Sequence, residues 1–110
     1  MYYDTNSGYS KPATAVTGAN ATSATCSLAN TVFDSGMPNN INGMVMAAQK
    51  AYGAATTTAL CSIDSATTTV PSTAWAVSVP MKDTTNGAAF CVDSTGAAKQ
   101  GAALSGIACP

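Results

Sequence analysis

Few side chains in this protein could carry covalent or acid–base chemistry. Among 110 residues there are four cysteines and five aspartates, but no histidine, glutamate or arginine. A serine or cysteine nucleophile needs a neighbouring general base, which is usually histidine. An aspartate could act as that base only if its pKa were strongly raised. We therefore expect no catalytic residue, no cofactor and no enzymatic turnover.

The four cysteines have the spacing of disulfide partners. Intervals of 35, 30 and 18 residues separate Cys26, Cys61, Cys91 and Cys109. A zinc site would favour paired Cys-x2-Cys spacings. In a small domain, an even number of cysteines without histidine indicates a disulfide framework and an oxidising compartment. The sequence therefore predicts two disulfides and no metal site built from cysteine.

Strand alternation narrows the way in which these cysteines pair. If the residues that flank Cys91 face the helix, Cys91 itself lies on the opposite face of the sheet, whereas Cys61 shares the face of Ile63. Bonded cysteines need Cβ atoms within about 4.5 Å, so a Cys61–Cys91 bridge is excluded and two connectivities remain. Of these, Cys91–Cys109 requires only that the local tail folds back. We predict that bridge and, with it, Cys26–Cys61.

Asp93 is the candidate metal ligand in the sequence. With Ser94 and Thr95 it could offer oxygen atoms to a calcium ion, but hard cations favour several carboxylates and this stretch has one. The same residues, followed by Gly96, are also a turn signal, in which glycine supplies a positive φ angle. We interpret Asp93 as a turn residue, with calcium binding as the weaker alternative.

The composition limits the partners of the chain. Hydrophobic residues make up 46% of it and charged residues 8%, with a formal net charge of −1. Four scattered lysines form no basic stripe for nucleic acid or for an anionic membrane surface. The chain also contains 22 alanines, 16 threonines and 11 serines. We therefore expect a single domain over residues 1–110, with a core of small side chains, no nucleic-acid partner and no membrane contact.

A helical periodicity appears in the middle of the chain. From Pro38 to Gly53 the spacing of apolar residues predicts an amphipathic helix of about four turns, with proline at its start and glycine after its end. Residues 1–25 lack periodicity and are predicted to be irregular. The apolar face, which we expect to pack on the sheet, consists of Ile41, Met44, Val45, Ala48 and Tyr52.

Beyond Gly53 the apolar residues alternate as they do in strands. Trp75, Val77 and Val79 share one face of the most regular segment, and Asn86-Gly87 predicts a hairpin turn after it. We therefore predict an α+β fold, in which a short helix packs on a three- to four-stranded antiparallel sheet with a disulfide-closed C-terminal loop. The strand candidates are residues 57–63, 74–81, 88–93 and 97–100.

Three features of the sequence, in this order, carry a resemblance to a known family. They are Tyr2-Tyr3-Asp4-Thr5-Asn6-Ser7-Gly8-Tyr9, then Trp75-Ala76-Val77-Ser78-Val79-Pro80 with Phe90-Cys91-Val92-Asp93-Ser94-Thr95-Gly96, and the C-terminal Cys109. Together they resemble a type IV pilin, particularly the small pilins of bacterial lineages with reduced genomes. The resemblance implies a pilin-like head, in which a disulfide between Cys91 and Cys109 encloses a loop over the sheet.

The resemblance also implies a structural function. Pilins assemble into extracellular filaments through a long hydrophobic N-terminal helix, which spans the inner membrane before assembly. We expect this chain to be the head of such a subunit, with identical subunits as partners, at the bacterial cell surface, and with adhesion and motility as properties of the filament. In the family the inner face of the sheet packs on that helix, so Trp75, Val77 and Val79 should be incompletely buried.

Two other functions stay open. One is a pseudopilin of a type II secretion system, which would share the fold. The other is a secreted adhesin or carbohydrate-binding module, in which Trp75, Phe90 and Tyr52 would stack on sugars. At alternating and helical spacing, however, these aromatic residues are more typical of a core.

Overall fold

A computed structural model describes residues 8–52, 59–81, 85 and 87–110, with the backbone alone at residues 49, 51 and 52. Five antiparallel strands lie side by side in chain order, so that each strand pairs with the next. A 3-10 helix (Ser23–Ser27) follows the first strand, and an α-helix, α1 (Asn42–Tyr52), precedes the second. The strands are β1 (Ala19–Thr22), β2 (Leu60–Ile63), β3 (Trp75–Pro80), β4 (Ala89–Asp93) and β5 (Ala98–Gly101).

The predicted α+β, pilin-like architecture is wrong. In the described residues a five-stranded meander dominates, and α1 has only 11 residues, so the fold is a small β-rich one. The helix begins at Asn42 rather than near Pro38, because Asn39 has a left-handed φ of 57°, which an α-helix does not accommodate. The Asn40 side chain then accepts a hydrogen bond from the Asn42 N–H at 3.1 Å. Its predicted end at Gly53 lies outside the described residues.

The unpredicted strand is β1, which lies in the segment expected to be irregular. Its pairing with β2 is interrupted by a register shift between Ala19 and Thr22. Ala21 has a φ of 53°, and its N–H donates a hydrogen bond to the Ser62 hydroxyl. A bulged strand of four small residues has no apolar alternation that could reveal it.

The other four strands occur where the alternation predicted them. β3, β4 and β5 begin and end within one residue of the expected positions. β2 ends at Ile63 as expected, while residues 57 and 58 of its predicted start lie outside the described part of the chain, as does Asn86 of the predicted turn. Periodicity therefore located most of the sheet.

A buried cluster lies on each face of the sheet. On the inner face, α1 contributes Val45, and the Trp75 ring contacts Tyr9 and Phe33 edge-on, with centroids 6.0 and 6.4 Å apart. The outer cluster is smaller and contains Ala76, Cys91 and Leu104. The fully buried inner cluster consists of Cys26, Val32, Phe33, Val45, Ala59, Cys61, Ile63 and Val77.

Both predicted disulfides are present. Cys26 and Cys61 are bonded on the inner face, with Cα atoms 5.1 Å apart, and Cys91 and Cys109 on the outer face, with Cα atoms 5.8 Å apart. Cys61 and Cys91 lie on opposite faces of the sheet, as predicted. Two structural disulfides are typical of small domains in oxidising compartments.

Candidate binding groove

An apolar groove of about 580 Å³ runs along the inner face of the sheet beside α1. Strands β3 and β4 form its floor, and α1 forms one wall. Among the described residues, those that line it carry no charged or polar side chain apart from the indole N–H of Trp75. The lining residues are Ile41, Met44, Val45, Ala48, Trp75, Val77, Val79, Pro80, Met81, Phe90 and Val92.

The two sequence periodicities build this groove. Across the β3–β4 pair, Val77 lies opposite Val92 and Val79 lies opposite Phe90, so four apolar side chains share one face. Met44 and Ala48 belong to the apolar face predicted for the helix and lie on the groove side of α1. The groove is therefore the space between two apolar faces that only partly meet.

Large apolar side chains remain in contact with solvent along this groove. Met44 is 69% exposed and Phe90 is 40% exposed. Trp75 and Val79 are half-buried, as predicted. Val77, which was also expected to be incompletely covered, is buried because it lies within the inner-face cluster. The expectation that Met44 packs on the sheet is wrong.

The tryptophan in the floor of the groove has an unpaired donor. The Trp75 Nε1 atom is buried and has no hydrogen-bond partner among the described residues. A buried donor without an acceptor costs about 1–3 kcal/mol.

The groove lacks the chemistry of a sugar site. Trp75 and Phe90 both line it, but the side chain of Tyr52, the third predicted stacking residue, lies outside the described part of the structure. Binding sites fix polar ligands through a few placed polar groups. The indole N–H of Trp75 is buried, and the other described lining side chains are apolar, so the groove suits an apolar surface better than a carbohydrate.

Asp93 lies on the opposite side of the molecule from the groove and holds the C-terminal loop. Its Oδ1 atom accepts hydrogen bonds from the Thr95 hydroxyl at 2.5 Å, the Thr95 N–H at 2.9 Å and the Ala97 N–H at 3.2 Å. Its Oδ2 atom accepts one from the Cys109 N–H at 2.8 Å. The Thr95 hydroxyl, followed by the Cys109 N–H, lowers the pKa of Asp93 to about 2.

These hydrogen bonds bear on the proposed calcium site. The turn predicted at Asp93 is present, with Gly96 at a φ of 94°. Asp93 is buried and both of its carboxylate oxygens accept hydrogen bonds from the protein, so a cation would have to compete with those donors. The described residues contain no group of three or more histidine, cysteine or acidic side chains that could hold a metal.

Acid should destabilise the domain through Asp93. The pKa of Asp93 is about 2 in the folded state and about 3.9 in an unfolded chain. Its stabilising contribution is therefore complete above about pH 5 and is lost as the pH falls toward 2. We expect the Tm, measured by circular dichroism from about pH 7 to pH 2, to fall more steeply for the native sequence than for Asp93→Asn.

Some acid sensitivity should remain in that variant. The backbone N–H groups of Asn30 and Gly36 donate to Asp34 and lower its pKa in the same direction. A double variant, Asp34→Asn with Asp93→Asn, should therefore show the shallowest dependence. The same dependence of the Tm on pH in all three proteins would contradict a stabilising role for these two carboxylates.

The chain matches no family model, curated protein or solved structure with which it was compared. Within the described ranges, no helix has the length and apolar character needed to cross a membrane. The functional conclusion therefore rests on two features of the domain itself. These are the apolar groove on the inner face and the disulfide-closed loop on the outer face.

Proposed function

We propose that this chain is the globular head of a structural subunit of a type IV pilus-like filament, and that its groove holds an apolar helix. The observation that carries this proposal is the uncovered apolar groove between α1 and the β3–β4 pair. Met44 and Phe90 expose large side chains there, although burial of such a side chain is favourable by about 1.5–3 kcal/mol. An apolar helix seated on this face would cover both.

The disulfides and the surface are consistent with this function. Two disulfides stabilise this small domain, one in each buried cluster, as suits a subunit exposed outside the cell. Heads of identical subunits would then meet through the neutral surface rich in hydroxyl groups. The work of the domain is packing, and we propose neither turnover nor a cofactor for it.

The same observations weigh against a carbohydrate-binding adhesin and against a calcium-dependent role. An adhesin that binds carbohydrate would need placed polar groups, whereas the described lining side chains are apolar and the Trp75 indole N–H is buried. A calcium-dependent role through Asp93 would require a carboxylate that is not already engaged. The filament subunit is thus the function that the groove supports best.

Tryptophan fluorescence provides the test. Trp75 is the single tryptophan of the chain and lines the groove, so its emission reports occupancy. The domain would be titrated with a synthetic amphipathic peptide of about 20 residues, long enough to form a helix, with one leucine- and isoleucine-rich face. We expect a saturable blue shift, and no shift with a peptide of the same composition whose apolar residues are scattered.

Two surface variants serve as a matched pair in this titration. Phe90→Asp places a charge in the groove, whereas Val70→Asp places one at a residue that is 56% exposed and lies outside the groove. We expect affinity to fall at least about tenfold in Phe90→Asp and to stay unchanged in Val70→Asp. Absence of a saturable shift in the native sequence, or equal losses in both variants, would refute the groove as a helix seat.

A further inference from the structure

Helix α1 carries two solvent-exposed methionines, one of which lines the groove. Met44 is 69% exposed and Met46 is 39% exposed. Met44 lines the groove, whereas Met46 does not. A chemical change at the first sulfur therefore alters the groove, while the same change two residues later does not.

The other methionines in the described part of the chain are better protected. Met37 is half-buried and packs against the inner-face cluster. Met81 lines the groove but is half-buried. Oxidation of a thioether requires access of the oxidant to the sulfur, so exposure ranks Met44 first.

The reaction with a peroxide is a transfer of one oxygen atom. A sulfur lone pair attacks one oxygen of hydrogen peroxide, the O–O bond breaks, and the departing hydroxide takes up a proton to form water. The thioether is oxidised by two electrons to a sulfoxide, and the peroxide is reduced by two. A flexible apolar side chain thereby becomes polar.

We propose that Met44 is a peroxide-sensitive modification site, whose oxidation weakens occupancy of the groove. The inference rests on the proposed function, because it gives the groove an apolar occupant. Met44 is the most exposed large apolar side chain of the groove, so a helix seated there would lie against its sulfur. When the helix binds, the polar sulfoxide would have to give up its bound water. Otherwise it would keep the helix from binding.

The test combines peroxide treatment with the peptide titration. The folded domain would be exposed to hydrogen peroxide for increasing times, quenched with catalase, and mapped by peptide mass spectrometry. We expect Met44 to be oxidised before Met46, Met81 and Met37. As Met44 sulfoxide accumulates, the affinity for the amphipathic peptide should fall about tenfold, and treatment with methionine sulfoxide reductases should restore it.

Two leucine variants separate the groove methionine from its neighbour. Relative to its own affinity before treatment, Met44→Leu should show no fall after peroxide, whereas Met46→Leu should lose affinity as the native sequence does. Slower oxidation of Met44 than of Met46, or full oxidation of Met44 without loss of affinity, would overturn the inference and leave the proposed function intact. Absence of peptide binding before any peroxide is added would refute both.

Discussion

Removal of the inner-face disulfide, by Cys26→Ala with Cys61→Ala, is expected to lower the free energy of unfolding by about 4 kcal/mol. The bridge closes a loop of 35 residues, and both cysteines are fully buried in the inner-face cluster. Small domains have only about 5–15 kcal/mol of stability in total. Urea denaturation followed by far-UV circular dichroism would measure the loss, and we expect the variant to be partly unfolded at 37 °C.

The outer disulfide is the matched control. Cys91 and Cys109 close 18 residues, for which the chain-entropy relation gives about 3 kcal/mol. In the Cys91→Ala with Cys109→Ala variant, the backbone N–H at position 109 can still donate to Asp93, which holds the tail in place. A larger loss for the outer pair than for the inner pair would contradict this ranking.

Replacement of Phe33 by alanine is expected to cost about 3–5 kcal/mol. Phe33 has no exposed surface and its ring contacts Trp75 edge-on, so truncation leaves a cavity at the centre of the inner-face cluster. The second phenylalanine of the chain, Phe90, provides the comparison. It is 40% exposed on the groove, and we expect Phe90→Ala to cost less than about 1 kcal/mol.

The two phenylalanine variants also separate stability from binding. Phe90→Ala should weaken binding of the amphipathic peptide while the domain stays folded, because the Phe90 ring lines the groove. Phe33→Ala should shift the midpoint of urea denaturation to a much lower urea concentration. Similar losses of stability in both variants would show that the groove face is part of the core rather than an open surface.

Much of the sheet and the disulfide pairing could be predicted because both depend on an alternation of period two. Once Cys61 shares a face with Ile63 and Cys91 faces away from its neighbours, the two cysteines cannot bond. Incomplete burial was expected of Trp75, Val77 and Val79; the first and last are half-buried, and Val77 is buried. The exposure of Met44 was not predicted from the sequence. Apolar residues at helical spacing indicate a core, and the spacing is the same whether or not a partner covers them.

The architecture itself was not predictable from these patterns. β1 is held by pairing with β2 and by the Ser62 hydroxyl, which is 41 residues from Ala21 in the chain. The left-handed Asn39, which delays the start of α1, leaves no trace in the apolar spacing. The hydrogen bond from Cys109 to Asp93 likewise joins two distant segments. Such contacts depend on tertiary structure, whereas propensity is local.

The proposed filament would display this domain repeatedly along its length, outside the cell. Gold-labelled Fab fragments, raised against the purified domain with its disulfides intact, would be applied to bacteria that carry the gene and viewed by electron microscopy. We expect label along the whole length of thin surface filaments, and we expect it to be abolished when the Fab is first incubated with the purified domain. Label confined to the cell envelope or to filament tips would contradict it.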